Sequence, residues 1–115
     1  MPGTITNAGL NATRDFLQSE VTELAVGTGT TDPTKTDTAL ENEVIRKPVD
    51  GDDAGTGEVT FATRLTSSEA NGADLAELGA VDGDGDLQAR LTYSSIVKTS
   101  DFEIEFRLTE RAMNP

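Results

Sequence analysis

The sequence contains no cysteine, no histidine and no tryptophan, and aromatic residues make up only 4% of its 115 residues. Without these side chains the chain cannot form a disulfide, a thiolate nucleophile, a zinc site with cysteine or histidine ligands, or a Ser-His-Asp triad. Imidazole, the most frequent general base, is missing as well. We therefore expect a protein that is not an enzyme and that needs no cofactor.

Basic residues are also scarce, because 9 Lys and Arg stand against 21 Asp and Glu and give a formal net charge of -12. Binding to nucleic acid requires clustered basic side chains, so we expect no nucleic-acid partner. The lysines number only three, namely Lys35, Lys47 and Lys98. Many acidic residues, few lysines and a small hydrophobic core are typical of halophilic proteins. An ordinary acidic domain or a partly disordered one is the alternative.

This charge leads to a first prediction. Repulsion among carboxylates destabilises a compact fold, and salt shortens the Debye length from about 10 Å at 0.1 M to about 3 Å at 1 M. We expect the melting temperature to be clearly lower in about 0.1 M KCl than in several molar KCl, as measured by scanning calorimetry. A melting temperature that does not change over this range would contradict the interpretation.

Long hydrophobic runs are absent. The apolar stretches span only a few residues, whereas a membrane helix needs about 20. Residues 1–11 also lack a basic segment followed by an apolar one. We expect synthesis in a cytoplasm without membrane insertion. Hydrophobic residues make up 35% of the chain, which suffices for one modest core and predicts a single domain over residues 1–115.

The N-terminal segment has a helical pattern over residues 6–19. Thr6 or Asn7 can cap this helix, and an apolar face follows the spacing i, i+3, i+4, i+7. That predicted face consists of Leu10, Ala12, Phe16 and Leu17.

After the helix the period changes to two, which indicates strands between about residues 22 and 110. The predicted strands are 22–26, 42–48, 59–65, 75–81, 87–93 and 102–109. Pro48 places the second strand at a sheet edge, and the strand 75–81 is apolar on both faces, as if covered on each side. A glycine and aspartate loop is expected at 50–57. The predicted fold is mainly β, an antiparallel β-sandwich or jelly-roll-like domain with one short N-terminal α-helix.

One candidate metal site stands out. Asp82, Asp84 and Asp86 alternate with glycines, and calcium prefers several carboxylate oxygens that converge from a tight turn. The pattern departs from a calcium loop at Leu87 and Tyr93, where Gly and Glu would be required, so a solvated turn is the favoured interpretation. The acidic cluster Asp50, Asp52 and Asp53 matches less well still.

Two further motifs have simpler explanations. Gly27-Thr28-Gly29 lacks the third glycine and the helix of a dinucleotide site, so we interpret it as the turn that ends a strand. Glu103 and Glu105 could form a carboxylate pair for glycoside hydrolysis, but their alternation is typical of the solvent face of a strand.

Two segments resemble a pattern in small structural proteins of tailed viruses. Residues 25–47 contain a "GTGT" strand end followed by "P…TAL..E..R", and residues 69–99 are similar to "EANG…L.E.G.F….G.L.AR.T…I.KT" in phage tail and tail-fibre-like proteins. The chain departs from this pattern at Ala80-Val81, where the family tends to have a Leu-Phe-like pair. The resemblance covers most of the chain and implies a virion component without catalytic residues. With the composition, it implies a tailed virus of a haloarchaeon.

The function expected from this resemblance is that of a tail, baseplate or tail-fibre component that acts in assembly and host attachment. Its partners would be further copies of itself, other virion proteins and the host surface. We expect the loop 28–40 and the edge 42–48 to make these contacts. A capsid decoration or turret protein is the alternative, and a host module that binds sugar or metal is a further one.

Overall fold

A computed structural model describes residues 4–111, and the side chains of residues 51–53 lie outside this description. Helix α1 spans Asn7–Glu20, and Thr6 is its N-cap, with Oγ1 accepting a hydrogen bond of 3.3 Å from the Gly9 backbone N–H. The cap satisfies one of the backbone donors that every helix start leaves free. The predicted helix and one of its two candidate caps are confirmed.

The predicted inner face of α1 is wrong in part. Leu17 packs against the core as expected, but Phe16 is 62% exposed and Ala12 is exposed too. Polar side chains turn inward instead. Arg14 donates a hydrogen bond of 3.1 Å to the Gly55 carbonyl oxygen, and Asn11 Oδ1 accepts one of 3.1 Å from the Gly57 N–H. The helix lies on the turn at Gly55 and Gly57, whose backbone groups need hydrogen-bond partners. This need outweighs the apolar periodicity of the helix.

Seven strands follow the helix within residues 21–111. They are β1 Val21–Gly27, β2 Glu43–Pro48, β3 Gly51–Gly55, β4 Glu58–Leu65, β5 Asp74–Asp82, β6 Leu87–Val97 and β7 Ile104–Arg111. The prediction of a loop over residues 50–57 is wrong in part, because residues 51–55 form strand β3. The backbone of β3 pairs with β4 from Gly51 opposite Ala62 to Gly55 opposite Glu58. An edge strand needs only backbone pairing, so its glycines and aspartates do not prevent it. Phe102 precedes β7 and does not extend it.

The strands form two antiparallel sheets, in the orders β2-β1-β5-β6 and β3-β4-β7. The main core joins them, because its buried side chains come from β1 and β5 of the first sheet and from β4 and β7 of the second. This arrangement confirms the mainly β, sandwich-like fold with one short helix. It also confirms that β2 is an edge strand and that β5 and β6 form a hairpin.

The described residues contain no helix with the length and apolarity needed to cross a membrane.

Candidate functional site

The loop between β1 and β2 covers the face of the four-stranded sheet that points away from the main core. Leu40 of this loop is buried in a second, small cluster with Ala25 and Val81, and Leu87 packs against it. Gly79 makes room for the loop, because a Cβ there would lie 2.8 Å from both Leu40 and Leu87. The prediction that residues 75–81 are covered on both faces is therefore confirmed.

Glu77 holds the loop in place. Its side chain is fully buried, and its Oε2 accepts hydrogen bonds from the backbone N–H groups of Gly29 at 2.7 Å and Asn42 at 2.8 Å. Its Oε1 accepts from the Glu41 N–H at 2.9 Å and from Arg90 Nε at 2.9 Å. One carboxylate thus ties both ends of the loop to the middle of the sheet.

Arg90 extends this contact to the centre of the loop. Its side chain is only 3% exposed, and besides Glu77 it binds Asp37, with Nη1 3.1 Å from Oδ2. A longer contact of 3.4 Å joins its Nη2 to Thr31 Oγ1. A guanidinium between two carboxylates is a strong, directional arrangement. Below we call Glu77, Arg90 and Asp37 the loop anchor.

The loop anchor is built around ionised groups. Burial alone would raise the pKa of Glu77, but the hydrogen bonds from Asn42, Glu41, Arg90 and Gly29 outweigh it and lower that pKa. The Thr34 backbone N–H is the main cause that lowers the pKa of Asp37, and Arg90 adds to it. The carboxylates of the loop anchor therefore meet donors, and its guanidinium meets acceptors.

Two glycines allow the loop to approach Glu77 so closely. A Cβ at Gly27 would lie 2.3 Å from the Asn42 carbonyl oxygen and 2.6 Å from Glu77 Oε2. A Cβ at Gly29 would lie 2.5 Å from the same Oε2 and 2.4 Å from the Glu41 Cβ. The Gly27-Thr28-Gly29 motif is thus the end of β1, as predicted, and its glycines serve the loop anchor.

The tip of the loop is polar and exposed. Thr34 and Asp37 close a small turn, with the Thr34 N–H 3.0 Å from Asp37 Oδ2, while Pro33, Lys35 and Thr36 face solvent. A shallow cavity of about 150 Å³ separates the tip from β6. The loop therefore presents a fixed surface with few apolar groups.

The β2 edge lies next to this loop in the sequence and is fixed to the body by Lys47. The Lys47 Nζ lies 2.6 Å from Glu69 Oε1 and 2.6 Å from the Arg64 carbonyl. This bond from Lys47, together with the Thr66 N–H, lowers the pKa of Glu69 to about 2. The tip of the loop lies against β6, at the opposite end of this sheet from β2. Partner contact at the loop and at the β2 edge stays a prediction.

The predicted metal cluster is brought together at the β5–β6 turn. Carboxylate oxygens of Asp82, Asp84 and Asp86 lie within 4.8 Å of one another. Asp82 is buried and already occupied: Oδ1 accepts from the Asp84 and Asp86 N–H groups at 2.9 Å each, and Oδ2 accepts 2.7 Å from Gln88. These bonds, the one from Asp86 above all, lower the pKa of Asp82. The hydrogen bonds of Asp82 close the turn, as in the favoured interpretation of a solvated turn. Calcium binding at this cluster stays an untested alternative.

The other candidates are dispersed. Asp50 is exposed, whereas the side chains of Asp52 and Asp53 lie outside the described residues. Glu105 binds Arg107 at 2.7 Å and Arg64 at 3.6 Å on the exposed face of β7, as the solvent-face interpretation requires.

Sequence reasoning missed the buried charges. Glu77 and Lys98 are both fully buried, and Lys98 Nζ donates to Asn71 Oδ1 at 2.9 Å and to the Thr99 carbonyl at 2.8 Å. Its ammonium group also lies 5.6 Å from the centre of the Phe102 ring. The signal was present in the sequence, since Glu77 is the one charge inside an otherwise apolar strand of seven residues, 75–81.

No protein-family model matches this chain, and a search of curated proteins likewise found no match.

Proposed function

We propose that this protein is a structural component of a tailed virus that infects a haloarchaeon, placed in the tail, baseplate or a fibre. One observation carries the proposal: the loop anchor joins the two segments that resemble virion proteins. Glu77 and Arg90 belong to the second segment, and they bind Gly29, Asp37 and Asn42 of the first. The resemblance thus involves positions that act together in three dimensions, which supports it.

The loop is suited to assembly because it is ordered before any partner binds. Backbone hydrogen bonds to Glu77 fix its two ends, and the Arg90–Asp37 pair fixes its centre. A surface that is already ordered loses little conformational entropy on binding, so modest contacts suffice in an assembly with many copies. In this role the exposed tip around Lys35 contacts a neighbouring virion protein.

Mass spectrometry and immuno-electron microscopy of purified virions test the proposal. We expect the protein in the particles, with label on the tail. Label on the head would favour the alternative of a decoration or turret protein. Absence from the particles would contradict both and leave the host binding module, which calorimetry with calcium in molar salt addresses.

A pair of charge variants tests the loop surface within the same system. Lys35→Glu changes the exposed tip, and Arg107→Glu makes the same change of charge on the exposed face of β7. We expect reduced incorporation of Lys35→Glu into virions and normal incorporation of Arg107→Glu, measured by quantitative mass spectrometry. Equal incorporation of both would show that the tip is not the contact surface.

A further inference from the structure

The outer edge of β6 has the features of a surface that pairs with another strand. β6 is the longest strand among the described residues, with 11 residues, and it ends the order β2-β1-β5-β6. We propose that this edge joins two copies of the chain, β6 against β6, as an antiparallel pair. The proposal builds on the assembly role and names one partner, a second copy of this chain.

The pairing of β6 with β5 is irregular in the middle of β6. Ile96 lies opposite Leu75 and Thr92 opposite Glu77, so three residues of β6 face a single residue of β5. Two of these three, Ser94 and Ser95, are exposed. Within the described chain, no strand lies beyond β6, so its outer edge is open to a strand from outside.

Apart from the irregular pairing at residues 93–95, the segment 91–97 of β6, hereafter the β6 segment, lacks the features that keep sheet edges apart. Its sequence is Leu-Thr-Tyr-Ser-Ser-Ile-Val, without charge and without proline, in a chain of which 26% is charged. Charges and proline are the usual protection of an exposed edge. The edge strand β2 has both, in Arg46, Lys47 and Pro48, and the edge strand β7 alternates Glu105 and Arg107 with its buried residues.

The uncharged segment fits a second copy better than a partner of opposite charge. Each copy has a formal charge of -12, so two copies repel each other wherever their acidic surfaces meet. The β6 segment lets the backbones approach without placing carboxylates opposite one another. A basic partner would gain more from the acidic faces elsewhere on the protein.

Antiparallel pairing about a two-fold axis at Ser94 would also cover exposed apolar side chains. Ile96 is 41% exposed and Val97 is 56% exposed. With Ser94 opposite Ser94 of the second copy, Val97 comes to lie opposite Leu91 and Ile96 opposite Thr92 on each side. Cross-strand pairs of this kind stabilise antiparallel sheets. The pairing uses the same edge on both copies, so it closes at two.

The test is sedimentation velocity of the purified full chain in molar KCl, where charge repulsion is screened. Ser94→Lys places two like charges opposite each other at the axis, and Ser95→Lys is a second variant at an exposed position. Phe16→Lys is the control, because Phe16 is 62% exposed on helix α1, outside both sheets and outside the predicted contact surface, and the change of charge is identical. All variants make the chain less acidic, so general repulsion cannot explain a loss of dimer.

We expect a dimer for the wild type and for Phe16→Lys, and a rise of the dimer dissociation constant by about tenfold or more for the two serine variants. Circular dichroism checks that each variant is folded. A monomeric wild type, an assembly larger than two, dimeric serine variants, or a monomeric Phe16→Lys would each overturn the proposal. If the purified protein is a monomer but is present in virions, only the β6 pairing is refuted and the assembly role stands. If the protein forms the β6 dimer but is absent from virions, only the assembly role is refuted.

Discussion

Replacing Glu77 with glutamine should destabilise the protein more than any other single isosteric change among the described residues. Glutamine keeps the size of the side chain, but its amide group offers donors where the Glu77 carboxylate accepts from Arg90 and from three backbone N–H groups. Breaking a buried ion pair on one side costs about 3–5 kcal/mol. Small domains have only about 5–15 kcal/mol of stability in total, so this loss removes a large share of it.

Urea unfolding in molar KCl, followed by circular dichroism, measures this loss. Glu43→Gln is the matched control, because Glu43 also pairs with an arginine, Arg46, at 2.8 Å, but both side chains are about one third exposed. An exposed pair contributes at most about 1 kcal/mol, so the control should unfold close to the wild type. Similar losses in the two variants would show that the burial of Glu77 does not matter.

The pH dependence gives an independent check on the same residue. The pKa of Glu77 is lowered in the folded protein relative to its ordinary value of 4.5. A carboxyl group with a lowered pKa contributes stability that is complete above its unfolded pKa and is lost as the pH falls through its folded pKa. The difference in unfolding free energy between wild type and Glu77→Gln should therefore be constant near pH 7 and shrink below 4.5. A constant difference down to about pH 3 would contradict the ionised state of Glu77.

The sequence was most informative where a residue pattern reflects one physical requirement. Strand β5 is apolar on both faces because both faces are covered, and Pro48 marks β2 as an edge because proline cannot donate to a second neighbour. The helix shows where such patterns fail. Its periodicity pointed Phe16 inward, but Arg14 and Asn11 occupy that side, since they satisfy a neighbouring turn.

The loop anchor lay beyond sequence reasoning for a geometrical reason. Gly29 and Glu77 meet although 48 positions separate them, and Arg90 and Asp37 meet across 53 positions. No local pattern encodes such a contact. The lone charge in strand β5 indicated that some partner must exist, because a buried carboxylate needs one, but the partner's identity depends on how the loop folds back over the sheet.

The glycine at position 27 should be almost as sensitive as Glu77, for a purely steric reason. Its φ angle is not positive, so alanine can adopt its backbone conformation, but the added Cβ would lie 2.3 Å from the Asn42 carbonyl oxygen. Gly83 is the matched control, since it lies in the exposed β5–β6 turn without a positive φ, and a Cβ added there would meet no atom within 4 Å.

Both substitutions restrict the unfolded chain to a similar degree, so the difference between them isolates the clash. We expect Gly27→Ala to lose about 2–3 kcal/mol relative to Gly83→Ala in urea unfolding. Hydrogen exchange should locate the loss: the amides of Gly29, Glu41 and Asn42, which donate to Glu77, should exchange faster in Gly27→Ala while the β4–β7 pair stays protected. Unchanged protection of these three amides would mean that the close approach of β1 does not hold the loop, and Glu77 alone would then have to fix it.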